Sequence, residues 1–230
     1  MPDTPAYPGT DRDAFLARIR GALGRDAPAA PAEPAPDVDE ALARLAGEGD
    51  DLLALFRKGA EATGLKVYPA SRDDAAARVV DLLQQAEAKR IASGAGETGQ
   101  QIGLARALEQ AGIEAADEQT PMSEQYDLDA GVSDVRAALA ETGTLVCTSD
   151  ARRSRGPSLV PVVHVALVRE SDVLPDMIDY WNSRKGESPA ELPSSQVFIT
   201  GPSKTADIEG QLVTGVHGPG EVHVVLIAGI

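Results

Sequence analysis

Three glycine-bearing turns carry the groups in this chain best suited to acid–base or anion-binding chemistry. In "AETGTLV", Glu141 stands at a turn into an apolar run, followed by Thr142, Gly143 and Thr144. A carboxylate so placed can serve as nucleophile or general base in acyl or proton transfer, and is equally common as a surface acid. In "TGPSKTADIEGQLV", an apolar run ends at Gly201 and Pro202, after which Ser203 or Thr205 can cap a helix. Open amides at such a helix start accept a phosphate or carboxylate. Asp207 and Glu209, in the expected first turn, are competing partners for the helix dipole and would repel a multiply charged anion. In "TGVHGPG", His217 is displayed among Gly215, Gly218 and Pro219, where a histidine of an acidic protein is more often solvated than catalytic.

Other groups are weaker signals. Gly94, Gly96 and Gly99 in "SGAGETG" have the spacing of a dinucleotide fingerprint, with Asp117 some twenty residues on. The strand before them is only about four residues long, and Thr98 and Gln100 equally suit a plain helix start. Arg152, Arg153 and Arg155 form a local cationic cluster suited to a carboxylate or phosphate, or to pairing with neighbouring acids. His164 lies inside an apolar strand, as satisfied core histidines do, and His223 lies near another strand start. These separated histidines and the single cysteine, Cys147, make no metal site, since zinc and iron–sulfur centres need several converging thiolates or imidazoles.

Composition excludes further classes. With 36 acidic against 21 basic residues and a formal charge of −15, the chain offers no basic stripe for nucleic acid. One tryptophan, three phenylalanines and four tyrosines are too few for a base-stacking platform. The opening "MPDTPAYPGTDRDAF" has neither a basic segment nor an apolar run, and no stretch reaches the roughly 18 apolar residues of a membrane span, so a soluble cytoplasmic protein is expected.

The elements that must position these turns alternate in type. Apolar runs predict strands over 65–70, 90–93, 113–116, 144–149, 162–168, 196–201 and 222–227, and helical spacing predicts helices near 72–88, 97–111, 132–141, 172–184 and 204–213. The alternation implies an α/β domain with a mainly parallel sheet covered by helices, over residues 38–230. Within it, a broken helical pattern runs from Val38 to Thr63, with Gly64 as its stop. Residues 1–37 form an N-terminal helix over 11–23, with Phe15, Leu16, Ile19 and Leu23 on one face, and a stiff tether bearing prolines 28, 31, 34 and 36. That face must bury against its own body or a second subunit.

Three blocks, "AETGTLV", "PSLVPVVHVALV" and "GPSKTADIEGQLVTGVHGPGEVHVVLI", resemble the lactate-utilization-domain family, lactate-utilization protein C type. The likeness spans about residues 132–227 and is loose before 65. It implies a Rossmann-like fold similar to the sugar-phosphate isomerase and coenzyme A transferase group. It also implies a part in bacterial oxidation of L-lactate to pyruvate, beside iron–sulfur partner proteins, with no cofactor on this chain. The family-like positions are Glu141, Thr142, Gly143 and Thr144; Ser158, Pro161 and His164; Gly201, Pro202, Ser203, Thr205, Asp207 and Glu209; and Gly215, His217, Gly218 and Pro219. The expected site is a cleft where the turns at 141–144, 201–205 and 215–219 meet. There Ser203 and Thr205 hold a small anionic metabolite, Glu141 acts as base or structural acid, and His217 closes the site. The alternatives are a stand-alone transferase or ligase for an acyl thioester, folate or phosphorylated small molecule, and a non-catalytic assembly or regulatory protein.

Overall fold

The computed structural model describes residues 11–25, 36, 39–47, 49–116, 120–150, 154–188, 190–206, 210 and 212–230. The chain divides into two compact units, Met1–Asp39 and Glu40–Ile230. The first contains helix α1 (Arg12–Ala22), whose start is capped by the Asp11 side chain accepting from the Asp13 amide. Its Phe15, Ile19 and Leu23 are exposed. Most of the proline tether lies outside the described residues.

The second unit starts its helices with α2 (Leu52–Thr63), where the Asp51 carboxylate accepts from the amides of Leu53 and Ala54 and Gly64 ends the helix in the left-handed region. There follow β1 (Lys66–Ser71), α3 (Arg72–Gln85), β2 (Arg90–Gly94), α4 (Glu97–Gln101), α5 (Leu104–Gln110), β3 (Glu114–Ala116), α6 (Met122–Gln125) and β4 (Ala130–Asp134). The remainder comprises β5 (Ala137–Leu139), β6 (Thr144–Ser149), β7 (Val163–Arg169), β8 (Val173–Leu174), α7 (Met177–Ser183), β9 (Ser195–Ile199), β10 (Lys204–Thr205), β11 (Val213–Thr214) and β12 (Glu221–Ala228). Six strands form a sheet in the order β1-β12-β7-β4-β2-β3, every neighbouring pair parallel. A four-stranded sheet, β8-β5-β6-β9, stands against it.

Burial on both faces explains why the central strands are continuous apolar runs. One face of the six-stranded sheet packs Val132, Val165, Leu167 and Val225 against Val79 and Leu82 of α3 and Leu108 of α5. The other packs Ala166, Val168, Val224 and Leu226 against Phe56 and Ala60 of α2 and Leu145 and Cys147 of β6. The outer side of the smaller sheet meets Tyr180 of α7.

Two expected helices are not found among the described residues. Residues 132–141 form β4 and β5 instead, because Val132 and Ala138 are taken up by two different sheets and the bend between them separates residues that share one face in a helix. At 204–213, Lys204 and Thr205 pair antiparallel with Thr214 and Val213, so the segment opens and closes as a hairpin; Asp207 and Glu209 lie outside the described residues.

Candidate functional site

Two of the three turns meet. Thr200, Gly201 and Ser203 on one side, and His217, Gly218 and Pro219 on the other, line a hollow of about 190 Å³ whose floor includes Ser158, Leu159 and Val222. Their contact is direct: the Ser203 amide donates to the Pro219 carbonyl at 2.9 Å, and the Gly215 amide donates to the Ser203 carbonyl at 2.8 Å. This bond corrects the expectation of open helix-start amides at Ser203, since there is no helix start and its N–H is spent. The amides of Gly201, His217 and Gly218 have no hydrogen-bond partner among the described residues. His217 is exposed at the edge.

The third turn serves packing. Gly143, at φ 64°, fits so closely on α2 that an added Cβ would lie 2.0 Å from the Ala60 nitrogen. Glu141 does not line the hollow; its carboxylate accepts from the Leu45 amide at 3.3 Å and its own amide donates to the Pro175 carbonyl. Thr142, Gly143, Thr205 and Gly215 do not line it either. Among the described residues, the one hydrogen-bonded link from this turn to the hollow is a run of hydroxyls, Thr142 to Thr144 and Thr144 to Thr200, each at 2.7 Å. Gly201 (φ 97°) likewise sits on the end of α2, its notional Cβ 2.7 Å from the Thr63 carbonyl, to which the Lys204 ammonium also donates at 3.3 Å. A cation there complements the helix C-terminus.

The glycine fingerprint is filled from within. The Asp134 carboxylate, at the end of β4, accepts from the amides of Thr98 and Gly99 at 2.9 and 3.3 Å, taking the place a phosphate would have at the start of α4. Asp117, the expected ribose partner, lies outside the described residues, as do Arg152 and Arg153.

Beside Asp134 runs a buried polar line through His164, Cys147 and His223, of which sequence reasoning missed the linking Ser133. The His164 ring, fully buried, meets the Ser133 hydroxyl through Nε2 at 2.9 Å, while its Nδ1 has no partner among the described residues. Burial, with a smaller contribution from His223, depresses its pKa to about 4. Burial pushes the Cys147 thiol up to about 12, the neighbouring Ser133 hydroxyl acting the other way, so it stays a neutral thiol at pH 7. His223, largely buried against the Tyr68 ring, is also lowered, by burial first and then by Lys66. Among the described residues, no group of three His, Cys, Asp or Glu side chains gathers as a metal site, and no helix is long and apolar enough to cross a membrane.

An α/β domain with a parallel six-stranded sheet, a second small sheet and a hollow between two of its turns defines the class. The particular family follows from comparison. The LUD domain model matches residues 53–227, and the chain belongs to that family. It is 27% identical over 236 residues to lactate utilization protein C of Oceanobacillus iheyensis, covering 94% of this chain and 98% of that one. Lactate utilization protein C of an Exiguobacterium species is 30% identical over 233 residues, covering 95% and 96%. In structure the chain is similar to a DUF162 family protein from Deinococcus radiodurans, with a TM-score of 0.57 at 19% identity, over 78% of this chain and 97% of that one.

Proposed function

We propose that this chain is the cluster-free component of a bacterial L-lactate utilization system, working beside iron–sulfur partner proteins in the oxidation of L-lactate to pyruvate. The observation that carries the reading is similarity along almost the whole chain to proteins named lactate utilization protein C. A sole cysteine that is buried and protonated fits a division of labour in which electrons pass through partners. The hollow between the 200–203 and 217–219 turns is the small-anion cleft in this reading, with Thr200, Ser203 and His217 as its polar groups. Glu141, which motivated the transferase alternative, faces Leu45 and takes no part.

Deletion of the coding sequence should abolish growth on L-lactate while sparing growth on glucose. Restoring the wild-type chain should rescue it, and restoring the Ser203→Ala, His217→Ala double variant at equal abundance should rescue it poorly. Normal growth of the deletion strain on L-lactate refutes the functional reading. Full rescue by the double variant refutes the cleft.

A further inference from the structure

The chain leaves β2 and β4 in opposite directions. From β2 it passes outward to β3 at the edge; it then recrosses to β4 and continues to β7. In parallel α/β sheets such a reversal opens a crevice beyond the carboxyl ends of the two strands, and ligands bind there. The hollow at Ser203 and His217 is elsewhere, against Val222 near the start of β12.

The crevice between β2 and β4 exists in this protein and is lined mostly by residues with polar side chains. Gly94 and Ser133 at the ends of those strands, Ser149 at the end of β6, Ser195 at the start of β9, and Arg155 line a hollow of about 10 Å³, enough for one water-sized group. Its roof is the turn Gly156–Ser158, laid directly on the sheet: a Cβ on Gly131 would fall 1.8 Å from the Pro157 carbonyl oxygen. Ser149 is only 7% exposed, but its hydroxyl is not fully enclosed and makes no hydrogen bond to a described residue, so it is open to the hollow. Ser133, 8% exposed, is held in place from behind by His164. The Arg155 guanidinium is exposed and pairs with no carboxylate among the described residues. The one acid among the described residues of the lining, Asp134, is turned to the amides of Thr98 and Gly99.

We propose that this crevice binds the carboxylate group of a small organic acid. One carboxylate oxygen enters the water-sized space and accepts from the Ser149 and Ser195 hydroxyls, and the rest of the ligand lies toward Arg155, whose guanidinium supplies the opposite charge. The assignment is independent of the larger hollow and of the lactate reading.

The test is calorimetric titration of the full chain with sodium acetate, L-lactate, pyruvate and inorganic phosphate at constant ionic strength. At least one carboxylate should bind, with Arg155→Ala and Ser149→Ala each weakening it about tenfold or more, and Arg155→Lys recovering part of the loss. Arg106→Ala, which removes an exposed arginine of α5 outside both hollows, should stay within about twofold of wild type. Absence of carboxylate binding, binding unchanged in both Arg155→Ala and Ser149→Ala, or phosphate as the sole ligand overturns the proposal. Loss confined to Ser203→Ala also overturns it and moves the anion to the larger hollow. Arg155 is at the surface and Ser149→Ala removes one oxygen, so equal unfolding midpoints for the variants show that the fold is kept.

Discussion

Replacing Gly143 by alanine tests whether the turn at 141–144 is there for packing. An alanine at φ 64° costs about 1–2 kcal/mol, because Cβ crowds the following carbonyl in the left-handed region. The new methyl would also lie 2.0 Å from the Ala60 nitrogen and 2.4 Å from its Cα, where ordinary contact begins near 3.4 Å. Relief requires α2 to move off the sheet, and overpacking of this kind costs roughly 1–3 kcal/mol. The sum is about 2–5 kcal/mol, a large part of the stability of an ordinary domain. Gly112→Ala is the matched control: its φ is 70°, but nothing lies within 4 Å of the added methyl, so only the conformational cost of about 1–2 kcal/mol remains. Urea unfolding monitored by circular dichroism gives both values from midpoint and slope. Equal losses for the two variants, within about 0.5 kcal/mol, refute the claim that Gly143 exists to let α2 approach.

Two further outcomes follow from the buried polar line. His164 takes up a proton near pH 6.5 when unfolded but only near 4 when folded, so its stabilisation is fully present above about pH 6.5 and is lost as pH falls toward 4, by roughly 3 kcal/mol in all. Urea unfolding at about pH 7, 5.5 and 4.5 should show a shallower loss for His164→Gln than for wild type, and parallel slopes would exclude His164 as the group responsible. Asp134→Ala leaves the amides of Thr98 and Gly99 without their acceptor, which should cost about 1–3 kcal/mol and speed hydrogen exchange at both. Asp134→Asn, which keeps an acceptor oxygen, should show much less of either effect, and unchanged exchange in Asp134→Ala would refute the internal-carboxylate account.

The strands that the sequence disclosed are those buried on both faces. "TLVCTS", "VVHVALV" and "VHVVLI" are apolar without a break because β6, β7 and β12 have neighbours above and below, and no helical period competes with that pattern. The stop at Gly64 was equally plain, since a left-handed helix end favours glycine. "GVSDVRAALAE" misled because its apolar residues fall at helical spacing. Its actual partition between two sheets depends on β7 and β6, which are distant in the chain. In "KTADIEGQLV", the hairpin pairing of Lys204 with Thr214 likewise outweighed a sound helix signal.

Residue types by themselves determined the parallel α/β class, the acidic charge balance, and which turns carry glycine, threonine and histidine. Those follow from burial, charge and backbone freedom, which are local properties. Tertiary structure alone decided that Ser203 meets Pro219 while Glu141 turns away to Leu45, and that Asp134 fills the glycine loop at Thr98. It also decided that Ser133, Ser149 and Ser195 converge from three separate strands. A hydroxyl's partners are set by strand order and register, which arise from packing between segments tens of residues apart, and no short stretch of sequence contains that information.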